Sequence, residues 1–410
     1  MKLGIIGAGF IAKFQTIAIS QVRGWQIAGI CSPEGAEELA GFVESKGIGP
    51  VSLYPTVTEM AKNVDVLAIF SPNFTRIAVM EEIRDAVKAG CQLQGIICEK
   101  PLARNYAEAE RMVTLLDETG VPEAYFENQI FMKPLVAQLD QLAGVRRAMG
   151  PMSLVRSAEE HGGPHGSWFW DPVQQGGGVL NDMGCHSIAV GWYALTPSGK
   201  DLTFLKPEKV SAEIGLLKWG RPEWRKKLLD TYGVDFLKTP SEDFATGMIT
   251  YRNPETNQLS KAQFTNSWMF EKQGLRILMD GTGPGYAFEI NTLVSPLTVF
   301  IGDDAAEAIA DQEMALEKAT SSRGLLAIQT NEADLYGYTD EFADALESFK
   351  NGRSGKLSWR YGLEIIRLVM ASYMAAENEK TVDLTDQETC RELETYVPAI
   401  ARGLGADILY

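Results

Sequence analysis

The chain opens Met1-Lys2-Leu3-Gly4-Ile5-Ile6-Gly7-Ala8-Gly9-Phe10-Ile11-Ala12, and few openings restrict the fold that can follow so tightly. Leu3–Ile6 is a short apolar run with the character of a buried strand. A glycine turn follows, and a helical stretch runs on from about Lys13 to Gln21. The G-x-G-x-x-A spacing assigns each small residue a task. Gly7 permits the tight turn, Gly9 lets a pyrophosphate approach bare backbone, and Ala12 lets helix and strand pack closely. The helix N-terminus then presents N–H groups to the phosphates. A dinucleotide cradle is expected at Gly7, Gly9, Phe10 and Ile11.

The alternation continues. Trp25–Cys31, Val64–Phe70, Gly95–Cys98 and Glu123–Glu127 read as strands, with helices over Pro33–Ser45, Arg76–Ala89 and Tyr106–Thr119 between them. Strands alternating with helices imply a doubly wound parallel sheet of α/β class, here a Rossmann domain over residues 1–128. An acidic residue ending the second strand would grip the adenosine ribose. Ser32 stands there instead, followed by Glu34, Glu37 and Glu38. Those carboxylates would repel a 2′-phosphate, so NAD is expected, with Ser32 and Glu34 at the ribose; NADP stays open.

Glu99-Lys100-Pro101 follows a buried strand, at the carboxyl end where ligands bind in such sheets. A lysine there is placed to hydrogen-bond a substrate hydroxyl beside a nicotinamide. Later, Asp182 precedes His186 by four residues within a helical stretch, Val179–Leu195, which would put both on one face. Histidine takes up protons near neutral pH and suits a general base; a carboxylate nearby can orient it. Before this helix, His161–Pro172 reads as a loop over a sheet. There Trp168 and Trp170 could stack on a sugar ring, and His165 and Asp171 could bind hydroxyls. His161 and His165 flank glycines and a proline, which argues against a metal pair, and no metal site is expected.

Runs at Ser153–Ala158, Val210–Lys218, Phe244–Tyr251, Ser260–Trp268, Leu275–Met279, Ala287–Ile290 and Leu297–Ile301 lack long helices between most of them. A second domain with an antiparallel sheet follows over residues 129–385. With 410 residues, two domains are the natural division, leaving 386–410 as a tail. A net charge of −16 disfavours nucleic acid and anionic membrane as partners. Cysteines at 31, 91, 98, 185 and 390, odd in number and without C-x-x-C, fit a reducing cytoplasm. No apolar run is long enough to span a membrane.

Gly7–Ala12, Ser71-Pro72-Asn73, Glu99-Lys100-Pro101, Glu127-Asn128, and Gly176-Gly177-Gly178 followed by Asp182 and His186 together resemble the Gfo/Idh/MocA oxidoreductases, over roughly residues 1–385. The resemblance implies a Rossmann domain joined to an α/β domain with a large, open, mainly antiparallel sheet. It implies cofactor contacts from Ser71, Asn73, Glu99 and Lys100, a cis Lys100-Pro101 peptide, and a catalytic set of Lys100, Asp182 and His186. It also implies a homo-oligomer, dimer or tetramer. The expected activity is nicotinamide-dependent oxidation of a secondary hydroxyl of a sugar, sugar derivative or cyclitol, or the reverse. Lys100, His165, Trp168, Trp170, Asp182 and His186 would then hold the substrate. Redox-neutral, NAD-dependent glycoside cleavage and non-catalytic nucleotide sensing are the alternatives. The sequence departs from the pattern at Arg76, where many relatives carry histidine, and in two segments, Lys218–Glu242 and the tail.

Overall fold

The computed structural model describes residues 1–271, 275–294, 297–301, 324–328 and 331–410. The chain forms two units, Met1–Lys133 with Ala333–Ile366, and Pro134–Glu332 with Arg367–Tyr410. The division is not one cut near residue 128: the chain returns to its first unit late, and residues 386–410 belong to the second.

The first unit holds a parallel sheet of β1 (Lys2–Ile6), β2 (Gln26–Cys31), β3 (Ser52–Leu53), β4 (Val66–Ile69), β5 (Gly95–Glu99) and β6 (Glu123–Phe126), in the order β3-β2-β1-β4-β5-β6. All four residues of β4 are fully buried. Burial on both faces is why these strands read as unbroken apolar runs rather than alternating ones. The connections carry α1 (Phe10–Ser20), α2 (Ala36–Ser45), α3 (Val57–Ala61), α4 (Arg76–Lys88) and α5 (Tyr106–Asp117). The strand order reverses between β1 and β4, and ligands bind at such a switch point.

The returning segment explains why the first 133 residues are not a finished body. On the helix Tyr338–Lys350, Phe342 lies edge-on to Phe126 at 4.8 Å and to Trp25 at 6.0 Å. The indole of Trp25 donates to the Phe342 carbonyl at 3.1 Å. A Cβ on Gly95 would stand 2.4 Å from the Phe349 ring. Burying Phe342 and Phe349 contributes roughly 4 kcal/mol at about 2 kcal/mol per ring.

The second unit is built on a seven-stranded sheet. Its strands are β7 (Leu154–Glu160), β8 (Lys206–Gly215), β9 (Phe244–Arg252), β10 (Leu259–Ser267), β11 (Arg276–Gly283), β12 (Tyr286–Asn291) and the short Val382–Asp383. The order is β12-β11-β7-β10-β9-β8 and then Val382–Asp383. Neighbours run antiparallel except β7 and β10. The strand expected at Leu297–Ile301 forms, but it pairs with Gly324–Ile328 in a separate two-stranded sheet. The helix Cys185–Leu195 packs on β7 and β10. There the Ser157 hydroxyl donates to the Ser187 carbonyl at 2.8 Å, and a Cβ on Gly191 would come within 2.9 Å of Ala262.

The segment Lys218–Glu242 and the tail meet here. Lys218–Glu242 folds into a turn and a helix, Pro222–Tyr232, then returns through the buried run Pro240–Asp243. The tail crosses that return: a Cβ on Gly405 would stand 2.0 Å from the Pro240 carbonyl oxygen. Glu377 anchors the tail by accepting from Ala399 N at 2.8 Å and from the Tyr396 hydroxyl.

Candidate active site

In the first unit, Gly7 has φ +98°, and a Cβ there would lie 2.8 Å from the backbone of Ser71. The turn after β1 is thus pressed against the loop after β4, and only glycine fits. A Cβ on Gly9 would meet nothing within 4 Å. Gly9 is also the N-cap of α1 and supplies no side-chain hydrogen bond, whereas α3 and α5 are capped by Thr56 and Asn105. A helix end left open beside bare backbone is what a pyrophosphate needs, so this cradle fits a dinucleotide. Phe10, 39% exposed, and Ile11 open the helix after it. Ser32 donates to the Glu34 carbonyl at 2.7 Å, closing the turn after β2, and Glu34 is exposed. Ser71 accepts from Thr75 Oγ1 at 2.8 Å, and Asn73 is buried at the head of α4.

Arg76 gives the departure from the family pattern a structural role. Its guanidinium is buried, and Nε donates to the Ser71 carbonyl at 3.2 Å. Nη2 donates to the Lys100 carbonyl at 3.3 Å, and Nη1 to the carbonyls of Glu99 and Pro101. One planar fork therefore ties the loop after β4 to all three residues of Glu99-Lys100-Pro101. The Lys100-Pro101 peptide is cis, as expected.

Glu99 points back into the unit. Its Oε1 accepts from Gln15 Nε2 at 2.6 Å, and its Oε2 from Lys100 N at 3.0 Å. Gln15 Nε2 also donates to Glu341 Oε1 at 3.1 Å. Burial raises both carboxyls above the usual range, and the charge of Glu99 raises Glu341 further. Arg76 and Lys100 oppose the rise at Glu99, whereas Glu127 and Asp344 add to it at Glu341. Glu99 serves as a brace for the Lys100 backbone here; no sequence motif points to Gln15 or Glu341.

In the second unit, Asp182 and His186 are both buried, at 5% and 3% exposure. The regular helix expected over Val179–Leu195 does not form. Leu180–Gly184 is a π turn, and the α-helix begins at Cys185. Hydrogen bonds one residue longer widen the turn, so residues four apart no longer stack as in an α-helix. Asp182 Oδ2 accepts from the indole of Trp268 at 3.2 Å and stands 4.0 Å from His161 Nε2. His161 Nδ1 accepts from Gly163 N at 3.0 Å, which puts the ring proton on Nε2, towards Asp182. His161 and Trp268 are partners that sequence reasoning missed. They follow β7 and β10, and only the pairing of those strands brings them to Asp182.

The expectation for Trp170 needs correction. Trp170 is 1% exposed, with Trp219, Trp268 and Phe236 around it at 4.9, 5.1 and 5.8 Å. It anchors the wall and offers no face to a sugar. Asp171 caps the short helix Pro172–Gln175 by accepting from Val173 N at 3.0 Å. His165 is exposed, and Trp168 is part-exposed and stacked on Phe169 at 3.8 Å. Among the described residues, no three histidine, cysteine or acidic side chains gather as a metal site. The five cysteines are free thiols.

Two family models match the chain. One, described as an oxidoreductase family with an NAD-binding Rossmann fold, covers residues 1–126. The other, the GFO/IDH/MocA C-terminal domain, covers residues 146–283. The chain belongs to the Gfo/Idh/MocA oxidoreductase family. Its first unit holds an NAD-binding Rossmann domain. Within the family it is 25% identical over 255 residues to D-glucoside 3-dehydrogenase of Escherichia coli strain K12, covering 62% of this chain and 67% of that one. It is 25% identical over 203 residues to glucose-6-phosphate 3-dehydrogenase of Bacillus subtilis strain 168, covering 47% of this chain and 53% of that one. Among solved structures, GenD2 from gentamicin A biosynthesis in complex with NAD superposes with a TM-score of 0.72 at 17% identity, covering 94% of this chain and 96% of the other. A putative myo-inositol dehydrogenase from Sinorhizobium meliloti 1021 gives 0.67 at 16% identity, covering 94% and 99%.

Proposed function

We propose that this protein is an NAD-dependent dehydrogenase of a secondary hydroxyl on a sugar, sugar derivative or cyclitol, working in either direction. The observation that carries the reading is the pairing of two built features in one family member. They are a lysine braced by Arg76 and Glu99 at the end of β5, and a buried Asp182–His186 turn on the second sheet. The relatives named for glucoside, glucose-6-phosphate and inositol dehydrogenation support the substrate class.

Bound NAD supplies the hydride acceptor at its nicotinamide. Lys100 donates a hydrogen bond to the substrate oxygen and stabilises the negative charge that develops there. His186 takes the hydroxyl proton as general base, and returns one to the oxygen when a ketone is reduced. Asp182, whose Oδ2 accepts from the Trp268 indole, orients this group. Trp168 and His165 line the outer part of the substrate site. Glu34, Glu37 and Glu38 set the preference for NAD over NADP through repulsion of a 2′-phosphate. On this reading the first unit, Met1–Lys133 with Ala333–Ile366, binds nucleotide, and the second, Pro134–Glu332 with Arg367–Tyr410, binds substrate and pairs subunits as a homo-oligomer.

The test is nicotinamide absorbance with a panel of glucosides, glucose 6-phosphate, 1,5-anhydro sugars and inositols, using NAD and NADP in parallel. Reduction of NAD by one compound is the expected result. Lys100→Met and His186→Asn should each lower kcat roughly 10³-fold, within the range of a lost acid–base or charge-stabilising group, at unchanged NAD affinity. Wild-type turnover by either variant would refute the mechanism. No reduction across the panel, with NAD bound throughout, would favour redox-neutral cleavage or sensing.

A further inference from the structure

The glycine triplet Gly176-Gly177-Gly178 rests on two side chains from distant parts of the second unit. Glu242, fully buried, stands just before β9. Its Oε1 accepts from Gly178 N and Leu180 N, each at 3.0 Å. Its main-chain carbonyl accepts from Val179 N at 3.1 Å. Three consecutive N–H groups at the start of the Asp182 turn therefore end on one residue, where a helix start would leave them unserved. Tyr373 Oη donates to the same Oε1 at 2.6 Å and accepts from Gly178 N at 3.1 Å. A Cβ on Gly177 would lie 2.1 Å from Tyr373 Oη, and one on Gly178 would lie 2.3 Å from the Glu242 carbonyl oxygen. Gly177 and Gly178 are glycine because their backbone presses directly on these two residues.

The next residue holds the other side of the turn. The Asp243 carboxylate accepts from Leu217, Lys218 and Trp219 N at 2.7, 2.8 and 2.7 Å. Its carbonyl accepts from Trp268 N at 2.9 Å. Trp268 is the residue whose indole reaches Asp182. Glu242 and Asp243 thus govern the backbone from which Asp182 and His186 project and also the side chain that fixes Asp182.

We propose that Glu242, closed by Tyr373, is the positioning residue of the acid–base turn. It sets where the turn Gly178–Leu180 begins, and so where Asp182 and His186 stand. The inference rests on the roles given to those two residues above. Glu242 acts through backbone N–H groups, and what they require is a buried acceptor oxygen, so glutamine can replace it and alanine cannot.

With three histidines in the chain, carbon-13 labelling at histidine Cε1 yields three signals from the full-length protein, assigned with His161→Gln, His165→Gln and His186→Gln. With NAD present, Glu242→Ala should displace the His186 and His161 signals and leave that of exposed His165 in place. Glu242→Gln should return both to their wild-type positions. On a substrate found by the panel, Glu242→Ala should lower kcat roughly 10²-fold with KM held, the cost of a displaced reacting group. Should Glu242→Ala not fold, Tyr373→Phe decides: it keeps the ring, removes the hydroxyl that meets Glu242 and Gly178, and should displace the His186 signal from its wild-type position. Folded Glu242→Ala or Tyr373→Phe with all three signals in place would overturn the proposal, as would failure of Glu242→Gln to restore them. The signals are read without turnover, so a fully active His186→Asn would refute the mechanism while leaving this result intact.

Discussion

Arg76 carries more of the first unit's site than any other side chain described. Its guanidinium serves four carbonyls from a buried position, a pattern that a planar fork can meet and an ammonium cannot. Arg76→Lys should therefore leave buried carbonyls unserved and cost about 3 kcal/mol, measurable by chemical denaturation. It should also lower kcat more than it weakens NAD binding, because Lys100 loses its support. Buried carboxyls make a second prediction at this scale. Burial raises Glu242 from 4.5 to about 7. The folded protein then binds more protons than the unfolded chain within that window. The stability this gives is fully present below pH 4.5 and is lost as pH rises through 7, about 3 kcal/mol for Glu242. Glu99 and Glu341 shift in the same direction. Glu242→Gln removes its share, so its melting temperature should gain on the wild type's between pH 5 and pH 8. A gap that stayed constant with pH would contradict this.

At the scale of elements, the β–α alternation of the first unit was legible because each element is specified by its own residues. Strand and helix limits shift by one to three residues from their sequence expectation, as at Gly95–Glu99, Tyr106–Asp117 and Ala36–Ser45. The two-residue β3 was not legible: Ser52-Leu53 is exposed and joins the sheet only by pairing with β2. The π turn at Leu180–Gly184 was missed for a related reason. Its sequence reads as a helix with a weak glycine, and the wider turn is stabilised by Glu242 and Tyr373, which lie far along the chain. Trp170 was misplaced because an aromatic residue in a loop has the same sequence signal whether it faces a ligand or the core. Four aromatic neighbours of the folded unit decided the matter.

At the scale of the whole molecule, the tail is part of the second unit. It buries Leu393, Ala399 and Ile400, and it holds Glu377 and Pro240. Ending the chain at Leu384 should cost on the order of 5 kcal/mol, from lost apolar burial alone, and should lower the melting temperature. An unchanged melting curve would show the tail to be dispensable. The sequence by itself determined the family, the Rossmann half and the short motifs, because the turn at Gly7, the strand-end lysine and the spacing of Asp182 and His186 are all local. Only the tertiary structure decided what supports them. Arg76 beneath Lys100, His161 and Trp268 around Asp182, Glu242 and Tyr373 under the glycine triplet, and residues 333–366 within the first unit all arise from contacts between distant parts of the chain. Such contacts leave no periodicity in a sequence, since the distance between residues along the chain says nothing of which strands will pair.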